Sequence, residues 1–350
     1  MRSQARGPQG FLWTGRGGDC SALFSAIPNH VRAVISCLNA PYGVETTTAG
    51  VQLTRYDAYL PPPDGPLAPE VPVESGGEPQ PSSPPGTPTD DQQVDVLVLY
   101  TSAVRQAVEA MGMNVQQVMR DEVDTTQMAM DRSTSPGDPV IADVHFVHAA
   151  EVSRVDSGEF SLDLEYLRTD PEPVALRNYW AADLVMYVRE TTPDPSFCGL
   201  AYEPSVGTTP PPGSGFAPYA VGVTKRVCSF SPYGFEHEFA HIFGANHNPE
   251  SEGNPTPLEP WAYAHWANPL NPDDGHRTIV AYIISACHGQ CTQVLNYSNA
   301  DIYVGAPGDP DRFHTGIADH RENARVIAEF AHTTAQYRAS IGRIFADGFE

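Results

Sequence analysis

The order of segments along the chain predicts a mixed α/β layer. Three observations carry this expectation. Val94-Asp95-Val96-Leu97-Val98-Leu99-Tyr100 is a bounded, β-branched and apolar run, the pattern of a buried strand. From about Ala103 to Arg132, Val104, Val108, Met111, Val115 and Val118 fall alternately four and three residues apart, which is helical periodicity. Val140 to Val147, Ala182 to Val188 and Ala220 to Val227 then read as further strands before two more helical segments. The first of these runs over about Tyr233 to Phe243, with Ser231 placed to cap it and Pro232 suited to a first helical position that needs no N–H. The second covers about Asp319 to Tyr337 and carries Ala324, Ile327, Ala328 and Ala331 on one stripe.

Composition limits what this layer can do. The 350 residues hold 43 Asp and Glu against 20 Lys and Arg, a formal net charge of −23. Such a surface repels phosphate and excludes a general nucleic-acid or anionic-membrane binder. No stretch approaches the roughly 18 to 20 apolar residues of a membrane span, and a monomer is the expected state. Proline is over-abundant, at 34 residues, and a large block of it lies in residues 61 to 92, a Pro/Gly/Ser/Glu-rich run that reads as an extended, solvated linker. Before it, residues 10 to 58 carry short apolar patches such as Val31–Leu38 and Val51–Tyr56 and read as a small β-rich unit. The chain therefore divides into residues 1–60, a linker at 61–92, a main domain at 93–340 and a tail at 341–350.

Cys20, Cys37, Cys198, Cys228, Cys287 and Cys291 form three sequence-local pairs, which suits disulfides in an oxidising compartment better than metal thiolates, since no C-x-x-C is present. Met1 to Gly18 contain no apolar h-region, so no secretory signal is visible, and a missing signal or misplaced start codon would reconcile that with export. Cys20 and Cys37 leave two readings, a mutual bridge or one thiolate capping a metal.

The strongest signal lies at residues 237 to 248, His237-Glu238-Phe239-Ala240-His241-Ile242-Phe243-Gly244-Ala245-Asn246-His247-Asn248. On a helix the i, i+4 spacing puts His237 and His241 on one face, about 6 Å apart. Both imidazoles can then bind one zinc ion at about 2.0 to 2.1 Å. Glu238 is rotated by about 100° and can address a water rather than the metal. Gly244 can take a positive φ, end the helix and let the chain double back, bringing His247 in as third ligand. Three neutral imidazoles leave a fourth position open, the pattern of a catalytic rather than a structural zinc site. The other histidines, His30, His145, His148, His265, His276, His288, His314, His320 and His332, read as surface or structural residues.

With these residues in view, the chain resembles the metzincin zinc metallopeptidases, whose signature is H-E-x-x-H-x-x-G-x-x-H, and in particular bacterial reprolysin-like and peptidyl-Asp metalloendopeptidases. The resemblance covers most of residues 93 to 340, including the Val94–Ser102 strand, Cys198-Gly199-Leu200-Ala201-Tyr202, Cys228 and Asn323-Ala324-Arg325-Val326-Ile327. Trp13, Gly15 and Arg16 resemble the end of a pro-segment, so residues 1–60 are expected to be a pro-segment remnant. The resemblance implies a metzincin-like twisted mixed sheet with an active-site helix and a C-terminal helix, a secreted zymogen, one catalytic Zn2+, and hydrolysis of protein or peptide substrates with Glu238 as general base. A structural calcium is left unassigned. It also implies bridges Cys198–Cys228 and Cys287–Cys291 beside the cleft. Two positions depart from the pattern. Val280, in Arg277-Thr278-Ile279-Val280-Ala281-Tyr282, stands where a methionine turn is expected, and Asn248 stands where many relatives carry Asp. Tyr282 matches a tyrosine that approaches the metal or transition state in some metzincins. Arg277 could meet an acidic substrate side chain or form an ordinary salt bridge. The alternative to an enzyme is a catalytically impaired zinc-binding or adhesive module on the same fold, the adhesive part resting on the tail Ile344 to Glu350.

Overall fold

The computed structural model describes residues 2–5, 11–17, 20–27, 30–37, 40–47, 50–55, 93–190, 198–206, 213, 215–229, 233–251, 256–267, 275–282, 291–305 and 312–338. The linker at 61–92 and the tail at 341–350 lie outside them.

The N-terminal strands β1 (Arg2–Ala5), β2 (Phe11–Gly17), β3 (Cys20–Ile27), β4 (His30–Cys37), β5 (Ala40–Thr47) and β6 (Gly50–Arg55) form an antiparallel meander in sequence order. The main domain continues with β7 (Gln93–Tyr100), α1 (Ser102–Ala110), α2 (Val115–Ser133), β8 (Asp143–Glu151), α3 (Phe160–Thr169), α4 (Pro171–Tyr179), β9 (Leu184–Arg189), β10 (Gly199–Ala201) and β11 (Val221–Lys225). After these come α5 (Arg226–Ser229), α6 (Gly234–His241), the two-residue strands β12 (Trp266–Ala267), β13 (His276–Arg277), β14 (Thr292–Gln293), β15 (Tyr303–Val304) and β16 (Phe313–His314), and α7 (Asn323–Thr334).

The central sheet has the order β10-β11-β9-β7-β8. Its neighbours β8, β7, β9 and β11 run parallel, and β10 is an antiparallel edge. Parallel strands need helical crossovers that cover both faces, so β7 and β9 are largely apolar and are buried almost throughout. The fold class is the mixed α/β layer that the segment order predicts.

Several boundaries differ from expectation. The helical stretch from 103 to 132 is two helices, because Gly112 adopts φ 79° and Asn114 restarts the helix by accepting from the Gln117 N–H at 3.0 Å. α3 and α4 have no counterpart in the sequence reading; Asp170 separates them and caps α4 through the Glu172 N–H at 3.0 Å, with Pro171 following it. The strand expected to reach Val227 turns into α5 at Arg226. α6 begins at Gly234 after Tyr233 in the left-handed region (φ 66°), so Tyr233 holds the cap position expected for Ser231, and both Ser231 and Pro232 lie outside the described residues. α7 starts only at Asn323, because the chain first makes a tight turn with Asp319 at φ 58°.

The end of the described chain is tied to the sheet. Asp183, fully buried before β9, accepts from the backbone N–H groups of Asp95 (3.0 Å) and Arg338 (2.8 Å). At the other end, Leu12 and Leu23 of the meander join the same apolar core as the central sheet. Among the described residues no helix is long and apolar enough to cross a membrane.

Candidate metal centre

α6 is buried along its whole length, which a surface helix with one apolar stripe would not be. Phe235 and Phe239 anchor it in the core, while His237 and His241 emerge one turn apart. Gly244 takes φ 83°, a conformation that carries no penalty without a Cβ, and the chain reverses there. Asn246 then bridges to Tyr263, and its carbonyl accepts from Asn323 Nδ2 at 3.0 Å, so the start of α7 braces the loop. The reversal delivers His247, all three histidines being buried.

The ring nitrogens of His237, His241 and His247 lie within 4.8 Å of one another, and among the described residues this is the group of three His, Cys, Asp or Glu side chains that could share a metal ion. His237 Nε2 and His247 Nε2 are 3.1 Å apart. Tetrahedral zinc with bonds of about 2.0–2.1 Å sets its ligand nitrogens about 3.3 Å apart, so the donor set fits that ion. His237 Nδ1 is 3.1 Å from the Ile279 carbonyl and His241 Nδ1 is 2.7 Å from the Ala245 carbonyl. These contacts hold the proton on Nδ1 and leave each Nε2 lone pair facing the centre. A cluster of this kind is consistent with a zinc ion.

The surrounding shell comes from three segments. The turn after β13 supplies the Ile279 carbonyl, which also accepts from Gln293 Nε2 at 2.6 Å, and a fully buried Val280. Arg277 is buried and donates from Nη1 to the Ala281 carbonyl at 2.7 Å, so it props this turn. Tyr282 stacks on His247 with centroids 3.9 Å apart, and its N–H donates to Asn248 Oδ1 at 2.8 Å. Glu203 Oε2 lies 3.7 Å from His241 Nδ1; burial pushes its carboxyl up to about 8, with His241 pulling the other way. Nothing in the sequence distance between residues 203 and 241 signals that approach.

Glu238 is 1 % exposed and points to the edge strand β10. A β-carbon placed on Gly199 would stand 2.5 Å from Glu238 Oε1 and 2.5 Å from the Val223 carbonyl oxygen. The absence of a side chain at Gly199 therefore makes the space that the carboxylate uses. A disulfide joins Cys198 to Cys228, fastening β10 to the segment just before α6. Cys20 and Cys291 are also disulfide-bonded, while Cys287 and the side chain of Cys37 fall outside the description.

The family model for metallo-peptidase family M12 (Reprolysin_5) matches residues 90–296. A solved structure described as a chaperone–substrate complex aligns with a TM-score of 0.50 at 16% identity over 91% of this chain; the chain spans 39% of that structure's length. The crystal structure of metalloproteinase-II from Bacteroides fragilis aligns with a TM-score of 0.43 at 13% identity, over 69% of this chain and 74% of that one. No curated protein matches the chain.

Proposed function

The chain belongs to metallo-peptidase family M12, and from that premise we propose that it is a secreted zinc metalloendopeptidase with His237, His241 and His247 as metal ligands and Glu238 as general base. The observation that carries the reading is the convergence of three imidazoles from α6 and the loop beyond Gly244, with a buried carboxylate one residue along the same helix. When bound, zinc supplies a Lewis acid that polarises the scissile carbonyl and lowers the pKa of water. Glu238 takes the proton of the attacking water and returns it to the leaving amine. The carbonyls of Ile279 and Ala245 fix the tautomers of His237 and His241, so the donor set is pre-organised. Tyr282, held by its stack on His247, would be the side chain available to steady a developing oxyanion. Residues 93–340 form the catalytic domain in this reading, 1–60 a pro-segment, and the Cys198–Cys228 disulfide is compatible with a location outside a reducing compartment.

Glu238→Gln tests the assignment. The variant should keep one zinc per chain while peptide hydrolysis falls by about 10²–10⁴-fold. Undiminished turnover would sink the role of Glu238. No cleavage by the zinc-loaded parent chain would favour a zinc-binding module instead.

A further inference from the structure

The meander and the zinc helix meet, through α2, at a buried charge cluster that the proposed chemistry does not use. Arg32 on β4 is 3 % exposed and reaches out of its sheet to α2, where Nη2 lies 3.0 Å from Glu122 Oε1 and Nη1 lies 3.5 Å from Asp121 Oδ2. Its cross-strand neighbour Ser25, also fully buried, accepts from Gln117 Nε2, which donates to Asp121 Oδ1 at 2.7 Å as well. Glu236 of α6 completes the cluster. It is fully buried, neither carboxylate oxygen has a hydrogen-bond partner in another residue, and it lies within the field of both Glu122 and Arg32. Two carboxylates thus face one guanidinium in a region closed to water, while burial pushes the third, Glu236, well above the ordinary carboxylate range.

We propose that Arg32 is the counter-ion of an acidic socket formed by Asp121 and Glu122, and that it makes the N-terminal sheet a non-covalently retained partner of the main domain once the linker is cut. Removing one member of a buried ion cluster leaves the others charged without compensation, which costs far more than the cluster contributes when whole. Departure of the sheet would take the guanidinium from both Asp121 and Glu122 at once, and would also uncover the apolar seam that Leu12 and Leu23 share with the core. Glu236 lies about 100° round α6 from His237, so the socket meets the helix, through α2, on a different face from the imidazoles. The inference concerns residues 2–55 and holds whether or not the chain cuts peptides.

The test uses the full chain carrying Glu238→Gln, to prevent self-digestion, and a specific protease site inserted within residues 61–92. After cleavage, the two fragments should separate on a non-reducing denaturing gel, which excludes a disulfide between them, yet co-elute in gel filtration. Arg32→Met should raise their dissociation constant at least about tenfold, and adding Glu122→Gln to Arg32→Met should recover most of that loss, because it removes a charge left without its partner. Separation of the fragments with Arg32 intact would overturn the proposal, as would retention by Arg32→Met within about twofold of the parent. If Arg32→Met does not fold, folding regained with Glu122→Gln supports charge compensation, and folding not regained refutes it.

Discussion

If His237, His241 and His247 hold zinc and Glu238 moves the proton, as proposed, Gly199→Ala should separate the two roles. The new methyl carbon would start 2.5 Å from Glu238 Oε1, about 0.9 Å inside the 3.4 Å at which ordinary contact begins, and equally close to the Val223 carbonyl. The carbonyl belongs to the β10–β11 ladder, where Leu200 pairs with Val223, and it resists movement. The carboxylate sits at the end of a flexible side chain and yields first. Displacing a catalytic group by about 1 Å costs about 10²-fold in rate, or about 2.7 kcal/mol in transition-state stabilisation. The three imidazoles are not touched, so zinc content should stay at one per chain. The assay is kcat/KM on a quenched peptide library, alongside metal analysis and a melting curve to score strain in the ladder. Turnover within twofold of the parent, with the protein folded and zinc-loaded, would refute the idea that Glu238 works from its place beside Gly199.

Other outcomes follow from the same geometry. Replacing Cys198 and Cys228 by serine opens a link with a sequence separation of 30 residues and should cost about 3–4 kcal/mol, a fall in Tm of about 10 °C by calorimetry. Burial pushes Asp183 up to about 8 from its ordinary 3.8, so the folded chain holds a proton there that the unfolded chain has released. The group therefore favours folding fully below about pH 4 and loses that contribution as pH rises through about 8; Asp183→Asn should flatten this part of a Tm-versus-pH curve. Val280→Met adds volume to a fully buried site and should lower stability by about 1–3 kcal/mol in denaturant titration, whereas a gain would reveal room for the larger side chain.

The metal cluster was legible because its determinants are local. His237 and His241 are one helical turn apart, and Gly244 announces the reversal that recruits His247, so spacing and one conformational rule suffice. The strand at Val94–Tyr100 was equally plain, since burial on both faces leaves an apolar run broken only by Asp95. What stayed hidden depends on partners distant in the chain. α4 buries only Pro173 and Arg177, so no apolar stripe marks it, and the stripe of α3, Phe160, Leu164 and Leu167, is carried on a helix of only 10 residues. Glu203 beside His241, Gly199 beside Glu238, and Arg32 among Asp121, Glu122 and Glu236 are all brought together by sheet order and helix packing. A charged residue reads as surface until the fold shows what surrounds it. The start of α6 misled for another reason: Ser231-Pro232 has good capping chemistry, yet the helix begins after Tyr233 in a left-handed turn.

Asn248 binds two positions into a single unit of change. Its Oδ1 accepts from the Tyr282 N–H and from Ser251 Oγ, while its Nδ2 donates to Glu250 Oε2 at 3.1 Å. The amide offers both an acceptor and a donor at this point, which an ionised carboxylate cannot. An aspartate would keep the tie to Tyr282 but turn a donor into an anion facing the Glu250 carboxylate. The two sites should therefore co-vary: a lineage or a designed library that places Asp at 248 is expected to give up the negative charge at 250 in the same step.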